Sequence, residues 1–426
     1  MDRIGKYEIR QLLGEGATSA VYLAYDPFTQ RDVAIKQLYP EVLKDPERGR
    51  LYRHLLINEA SLAGRLSHPH IAQIYDATVE ETQGYVVMEY VPGGTLEPFC
   101  RPDRLLPFDR VIEIVFKATR ALDYAYHQGI THRDIKPANI LLEAPDSQDI
   151  KLSDFGAALF NAADTTQISG VGSPAYMSPQ QVREMPLNHQ TDIYSLGVVM
   201  YQLLTGRLPF EAANNYSLLY RIAHETPPAP IALRPDIPAE LDAIVRRATQ
   251  KSLDDRYQSW VEFSHDLAHA FRNLSLGNRK RAVSDTQKFE TLRRLPFFRD
   301  FTDIEIWEIV RFSEWRFAEP GTTLLKEGEP GDHFCFLANG EARVKKQDRL
   351  LHLLTPGDCF GEMAVFAPGN GLRTASVEAT SEVEIITIRA RALQRASDTC
   401  RMHFYKAFLE VLAGRLSMTS ARVAHG

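Results

Sequence analysis

The amino-acid sequence predicts an α+β chain: a small, mostly antiparallel β lobe, a larger helical lobe, and a separate rolled all-β unit with flanking helices. Three patterns point there. Over residues 7–91 the apolar residues fall in short β-rich runs, Ala20-Val21-Tyr22-Leu23-Ala24, Val33-Ala34-Ile35 and Tyr85-Val86-Val87-Met88, around one helical stretch near 51–66. From about 105 to 271 the spacing becomes helical, with Val111, Ile114, Val115, Ala118 and Leu122 on one stripe and Leu241, Ile244, Val245 and Ala248 on another. Further on, Gly328, Gly331, Gly340, Gly357, Gly361, Gly369 and Gly371 punctuate brief alternating runs such as Ala342/Val344 and Val377/Ala379, the pattern of a rolled sheet.

Cap and turn chemistry sets the remaining elements. Pro227-Pro228-Ala229-Pro230 is expected as a loop, and Ser259-x-x-Glu262 as a capping box that opens the last helix of the second lobe. Asn278-Arg279-Lys280-Arg281-Ala282-Val283-Ser284-Asp285 is polar and charged, with nothing to bury, and reads as a linker. Thr302-x-x-Glu305 is another capping box; Ile306, Ile309 and Val310 come after it on one face and predict a short helix at the entrance to the last unit. Phe404, Ala407, Phe408, Val411 and Leu412 form the apolar stripe of a closing helix. These signals bound a first unit at 7–271, with lobes 7–91 and 92–271, a linker at 272–294 and a last unit at 295–420.

With 426 residues the chain is long enough for two or three domains, at about 100–200 residues each. Lys+Arg 49 against Asp+Glu 55 gives a formal charge of −6, which excludes a general attraction to nucleic acid or anionic lipid and requires any anion site to be local. Cys100, Cys335, Cys359 and Cys400 lie far apart with no Cys-x-x-Cys spacing, so the expectation is a reducing, cytoplasmic compartment without a metal clip or redox pair. Met1-Asp2-Arg3-Ile4-Gly5-Lys6 carries charge where a secretory signal needs an apolar core, and no apolar run approaches a membrane span; neither export nor a transmembrane segment is expected.

Gly14-Glu15-Gly16-Ala17-Thr18-Ser19-Ala20-Val21 lies between two strand-like runs, where small residues let backbone N–H groups approach phosphate oxygens. Alone it reads equally as a glycine-rich hairpin turn. The order of the downstream motifs changes that: Val33-Ala34-Ile35-Lys36 puts a lysine on the next strand, Glu59 falls in the succeeding helix, and His132-Arg133-Asp134-Ile135-Lys136-Pro137-Ala138-Asn139 and Asp154-Phe155-Gly156 come later. In this order the motifs of residues 7–271 resemble the eukaryotic-like (bacterial-type) serine/threonine protein kinase family. The resemblance implies the bilobal protein kinase fold, ATP and Mg²⁺ as cofactors, and Gly14, Gly16, Ser19, Val21, Ala34, Lys36, Met88, Glu89 and Val91 around the nucleotide.

The residue types suit phosphoryl transfer, which needs charge neutralisation and alignment more than covalent chemistry. Lys36, oriented by Glu59, is expected to hold the α- and β-phosphates, and Asn139 and Asp154 supply hard oxygen ligands for Mg²⁺. Asp134 is expected to accept the proton of the incoming hydroxyl and Lys136 to neutralise the transferring phosphate. A lysine at 136 resembles the Ser/Thr kinases rather than the tyrosine kinases, which implies protein Ser/Thr hydroxyls as acceptors. Arg133 offers a guanidinium to a phosphorylated activation segment, residues 154–179; Thr165, Thr166 and Ser169 are the candidate phosphorylation sites, while Ser173 resembles the family residue that contacts the catalytic aspartate.

Two positions depart from the family pattern. Ser19 replaces the third glycine of the phosphate loop, for which a slight cost is expected. Ser178-Pro179-Gln180 stands where the family has Ala-Pro-Glu, so an amide replaces the buried carboxylate expected to pair with Arg256, and anchoring of the activation segment is in question.

In the last unit, Phe360-Gly361-Glu362-Met363-Ala364-Val365, with Arg373-Thr374-Ala375-Ser376-Val377 after a loop, resembles the phosphate-binding cassette of the cyclic-nucleotide-binding (catabolite-activator-like) domains, which implies a β jelly-roll. In that resemblance Arg373 takes the cyclic phosphate bidentately, N–H groups of a short helix begun at Gly361 add to it, Glu362 accepts the ribose 2′-hydroxyl, and Thr374 touches purine or phosphate with Ala375 beside it. The alternative is that Glu362 and Arg373 pair with each other and leave a folded but empty relic. Leu372 replaces the usual proline before the arginine, which leaves cAMP against cGMP open. The closing helix with Phe404 and Phe408 caps a purine, pairs with a second chain as a homodimer, or packs on the barrel.

The expectation as a whole is an ATP-dependent protein Ser/Thr kinase regulated by cAMP or cGMP, with the sensor after the kinase, the reverse of the order in the cGMP-dependent kinases. Residues 279–284 are then either a solvated connector or a tethered substrate mimic. A kinase with a non-binding last domain and a pseudokinase scaffold are the alternatives; retention of Lys36, Asp134 and Asp154 favours an active enzyme.

Overall fold

Strand alternation decides which side chains of the first sheet meet a helix and which meet the outer core. The computed structural model describes residues 3–45, 48–62, 64–80, 83–157, 159–160, 174–275, 283–347, 349–366 and 371–424, in two units, 1–280 and 281–426. In the first, β1 (Arg3–Ile4), β2 (Tyr7–Glu15), β3 (Ser19–Asp26), β4 (Arg31–Leu38), β5 (Ile74–Val79) and β6 (Gly84–Glu89) form an antiparallel sheet in the order β1-β2-β3-β4-β6-β5. Helices α1 (Pro40–Lys44) and α2 (Arg48–Ser61) lie between β4 and β5 in the chain. Val33, Ile35, Tyr85 and Val87 share one face with Ile4, Tyr7 and Ala24, while Ala34, Val86 and Met88 share the other with Leu38, Leu43 and Leu56. Lys36, two residues after Ala34, falls on this second face, toward α2. The helix expected near 51–66 starts earlier and stops at Ser61, because Gly64 at φ +75° turns the chain away.

The second lobe is built on α3 (Phe108–His127), whose predicted stripe residues Val111, Ile114, Val115, Ala118 and Leu122 are all buried. After it come β7 (Ile130–Thr131), β8 (Ile140–Leu142), β9 (Ile150–Leu152) and β10 (Leu159–Phe160), with β8 paired to β9 and β7 to β10. Helices α4 (Pro179–Val182), α5 (Gln190–Thr205), α6 (Asn215–His224), α7 (Pro230–Leu233), α8 (Ala239–Ala248) and α9 (Trp260–Ser275) complete the lobe. Gly197 of α5 lets α8 approach: a Cβ there would lie 2.7 Å from that of Ala248. The proline run expected as loop is one only as far as Ala229; Pro230 opens α7, because at the first helical position its missing N–H has no role. Ser259 caps α9 through Glu262 N–H at 3.2 Å, but the box is one-sided, since the Glu262 carboxylate binds Arg247 at 2.7 Å instead of closing back on Ser259.

The second unit opens with α10 (Asp285–Arg294), where a linker was expected. Ser284 and Gln287 form a full capping box, and the helix buries Thr286, Phe289 and Leu292, with Phe289 and Trp307 ring centroids 4.6 Å apart. Residues 279–282 lie outside the described residues. Next is α11 (Asp303–Phe312), whose predicted capping box Thr302/Glu305 is complete. Strands β11 (Glu314–Ala318), β12 (Thr323–Leu325), β13 (His333–Asn339), β14 (Ala342–Lys346), β15 (Arg349–Leu354), β16 (Cys359–Phe360), β17 (Ser376–Ala379) and β18 (Val383–Arg389) form two four-stranded antiparallel sheets, β11-β18-β13-β16 and β12-β17-β14-β15. Leu325, Leu337, Ala342, Phe360, Val377, Ala379 and Ile385 fill the core they enclose, as the alternation predicted for Ala342, Val377 and Ala379. Helix α12 (Met363–Phe366) interrupts the strands, and α13 (Ala390–Gln394) and α14 (Asp398–Ala424) close the chain. Phe404 and Phe408 of α14 are buried within this unit, in an aromatic cluster with Phe297, Phe298 and Phe334, so packing on the barrel is where these two rings go.

Candidate active site and candidate nucleotide pocket

The first site forms where β4, α2 and the loops after β7 and β9 converge. Lys36 Nζ donates to Glu59 Oε2 at 3.3 Å and to Asp154 Oδ1 at 2.5 Å, which joins three elements through one ammonium. Glu59 is buried, and burial pushes its carboxyl up against the pull of Lys36. At Asp154 burial acts in the same direction, but Lys36 outweighs it and holds the carboxyl below the usual range. Burial also opposes the charge on Lys36, and the two carboxylates reverse that, so its pKa is raised.

The loop after β7 holds the second group. Lys136 Nζ donates to Asp134 Oδ2 at 2.6 Å, and Asn139 Nδ2 donates to Asp134 O at 2.8 Å and Oδ2 at 3.2 Å. With its nitrogen committed, Asn139 has its amide oxygen turned the other way. Ser153 N–H donates to Asn139 O at 3.0 Å, so the residue preceding Asp154 is tied to this loop. Lys36, Asp134, Asn139 and Asp154 are thereby linked through two short networks.

Two residues here, Arg133 at φ +69° and Asp154 at φ +63°, adopt the left-handed backbone region, which is strained for side chains of this kind. Asp192, which the sequence reading missed, holds the first: its carboxylate accepts from His132 N–H at 2.7 Å and Arg133 N–H at 2.8 Å. An aspartate in the first turn of the buried helix α5 was the available signal. The His132 ring packs on Phe155 with centroids 4.4 Å apart, beside Asp154. Arg133 Nε is buried without a hydrogen-bond partner among the described residues. Thr165, Thr166, Ser169 and Ser173 lie outside them.

Gly14 and Gly16 sit at the β2–β3 hairpin, where Gly16 N–H donates to Ser19 O at 2.8 Å. Ser19 starts β3 outside the left-handed region, so the slight cost expected from the missing glycine does not arise. Val21 pairs with Lys36, and Ala34 with Met88, across neighbouring strands. The Glu89 carboxylate is taken by Gln73 N–H at 3.1 Å and Lys151 at 2.9 Å, and its own N–H donates to Gln73 O at 2.8 Å; Val91 lies two residues on, buried.

Gln180 does the anchoring that a carboxylate was expected to do. Its Oε1 accepts from Arg256 Nη2 at 3.1 Å and its Nε2 donates to Lys251 O at 3.0 Å. Arg256 also donates from Nε to Gln250 O at 3.0 Å, from Nη2 to Gln250 O at 2.7 Å and from Nη1 to Gln190 O at 2.7 Å. Without a carboxylate, burial lowers the Arg256 pKa to about 10.

In the second unit Arg373 is buried and donates from Nη1 to Gly361 O at 2.7 Å, while its Nη2 is buried with no hydrogen-bond partner among the described residues. The Arg373–Glu362 pairing that the empty-relic alternative requires is therefore made through neither of these nitrogens. Burial pulls the guanidinium pKa down, opposed by Cys335, Asp332 and Glu362. Gly361 stands at φ +81° and precedes the short helix, which starts at Met363 rather than at Gly361 as expected. Glu362 is buried, Thr374 exposed and Ala375 half-buried. An inward guanidinium nitrogen without an acceptor suits an anionic oxygen from a ligand.

A bilobal unit with an ammonium bridging two carboxylates beside an Asp-Lys-Asn loop is the architecture of a phosphotransferase. Residues 7–269 match the protein kinase domain family, and residues 315–400 match the cyclic nucleotide-binding domain; the chain belongs to the protein kinase domain family. It is 38% identical over 269 residues to the serine/threonine-protein kinase PknB of Mycobacterium leprae, covering 62% of this chain and 42% of that protein. It is 39% identical over 271 residues to PknB of Mycolicibacterium smegmatis (62% and 42%), and 35% identical over 286 residues to a probable serine/threonine-protein kinase of Clostridium acetobutylicum (67% and 41%). The chain thus spans about two fifths of the length of these relatives. Among the described residues no helix is long and apolar enough to cross a membrane.

Replacing Gln180 with alanine is expected to destabilise the protein by about 2 kcal/mol, since it removes from a buried site both the acceptor for Arg256 Nη2 and the donor to Lys251 O. Thermal unfolding of Q180A against wild type measures it, and an unchanged or higher midpoint contradicts this account of the anchor.

Proposed function

We propose that residues 7–271 transfer the γ-phosphoryl group of ATP to serine or threonine hydroxyls of proteins, and that residues 295–420 bind a cyclic nucleotide that regulates the transfer. One observation carries the first part: Lys36 joins Glu59 and Asp154, while Asn139 and Lys136 hold the Asp134 carboxylate. In this reading Gly14, Gly16, Ser19, Val21, Ala34, Met88, Glu89 and Val91 surround the nucleotide. Lys36 turns from Asp154 to the phosphates, with Glu59 fixing its direction. Asn139 through its amide oxygen and Asp154 through its carboxylate hold Mg²⁺, which neutralises phosphate charge when bound. Asp134 aligns the acceptor hydroxyl and accepts its proton, and Lys136, 2.6 Å away, balances charge on the phosphate in transfer. The serine/threonine preference rests on Lys136 and on the likeness to serine/threonine-protein kinases. The four free, buried cysteines support a reducing, cytoplasmic setting.

Transfer of label from ATP to a generic basic protein, in the presence of Mg²⁺, tests this. D134A is expected to lower the rate by about 10²–10⁴, the range for loss of a positioned base, and D154N to abolish Mg²⁺-dependent transfer; activity unaffected by either variant contradicts the assignment.

For the second part, Arg373 Nη2 is the supporting observation, with Glu362 and Thr374 assigned to ribose and base. Titration of the full chain with cAMP and with cGMP is expected to show binding of at least one, weakened by about 10–100-fold in R373A, as for a hydrogen bond to a charged group worth ~1.5–3 kcal/mol. Equal affinity in R373A contradicts it, and phosphoryl transfer that ignores a bound nucleotide contradicts the regulation.

A homodimer through α14 fits the same reading. Phe404 and Phe408 are spent on the barrel, but Met402, Tyr405, Leu409 and Leu412 are exposed on another face at alternating three- and four-residue spacing, and in the sequence Leu416 follows four residues on and Val423 seven after that. This is the repeat of a two-stranded seam. Light scattering is expected to give twice the chain mass for wild type and the single mass for L409D/L412D; a monomeric wild type contradicts it.

A further inference from the structure

We infer that Gly331, outside the cassette, is a positioning residue for Arg373: its missing side chain leaves the space in which the guanidinium lies. The inference rests on the reading of Arg373 as a phosphate ligand. Two backbone segments are zipped together here. Gly331 N–H donates to Gly371 O at 2.9 Å, Arg373 N–H to Glu329 O at 2.8 Å, and Gly328 N–H to Arg373 O at 2.9 Å. The turn before β13 therefore holds the main chain of Arg373, and Gly331 faces its side chain.

Glycine at 331 is not a backbone requirement, because unlike Gly328 and Gly361 this residue stays outside the left-handed region. The requirement is space. A Cβ at 331 would lie 2.7 Å from Arg373 Cζ, 2.7 Å from Nε and 2.6 Å from the Ala364 Cβ of α12. None of these can yield freely: the guanidinium is pinned through Nη1 to Gly361 O, and Ala364 is buried. A Cβ at Gly361 would likewise lie 2.8 Å from Arg373 Nη1. The planar group thus lies against two residues without side chains, and its aim fixes where the partnerless Nη2 points. A methyl at 331 turns that nitrogen away from the position where a phosphate oxygen would be bound.

The test uses the full chain and two measurements. Isothermal titration with cAMP and with cGMP is expected to show affinity lowered at least about tenfold in G331A. Thermal unfolding of wild type, G331A, R373A and the double variant separates positioning from general loosening: the loss of stability caused by G331A is expected to shrink when Arg373 is already alanine, because the contacts with its guanidinium are gone while that with Ala364 Cβ remains. Affinity within about threefold of wild type in G331A, or an equal stability loss in both backgrounds, overturns the inference while the nucleotide reading survives. If the wild-type chain binds neither nucleotide, that reading fails and this inference fails with it, whereas phosphoryl transfer stands on its own measurement.

Discussion

A single ammonium organises the first unit. Lys36 is held on the α2 side of the sheet by strand alternation, and there it meets Glu59 and Asp154. The buried Glu59 carboxylate would be strongly unfavourable alone, since an unpaired buried charge costs several kcal/mol. Its presence therefore ties the placement of α2 to β4, and the same ammonium draws in the loop after β9. A compact ammonium on a flexible stem reaches both elements without fixed directionality, and the two carboxylates keep it charged against burial.

The strained loop depends on a similar economy of groups. Arg133 and Asp154 occupy backbone conformations that an isolated chain avoids, and the molecule holds them by tertiary contacts. Asp192 takes two successive N–H groups of the first loop, and Gln181 Nε2 donates to Arg133 O at 3.0 Å from the far side. The strain is localised where Asp134 and Asp154 must be presented, the one just after a strained residue and the other on one.

Two buried guanidinium groups differ in how far the protein satisfies their donors. Arg256 has every nitrogen donating to a carbonyl or amide oxygen of the protein, so it closes on itself and anchors α4 without a carboxylate. Arg373 is equally enclosed but donates to the protein from Nη1, and Nη2 is left without an acceptor among the described residues. The same side chain has every nitrogen used at 256 and one left without an acceptor among the described residues at 373.

Much of this was legible in the linear order of residues. The two lobes and the rolled sheet come from period and punctuation, and the ordered motifs bring Lys36, Glu59, Asp134, Asn139 and Asp154 forward as a set, because their order along the chain is fixed even where their separation is not. Asp192 was not legible, since its task is to bind backbone N–H groups sixty and fifty-nine positions away. Nor was the helix after Ser284: its few apolar residues, Phe289 and Leu292, become a buried face only when Trp307 lies opposite. The fate of Phe404 and Phe408 was open for the same reason, because a stripe of rings states that something will cover it and not what. Sequence by itself therefore determined most of the elements, the family and the charged residues of the ordered motifs, all properties of short range or fixed order. Tertiary structure alone decided which polar atoms are satisfied by the chain and which are left for something else, because that depends on distances between segments that share no local pattern.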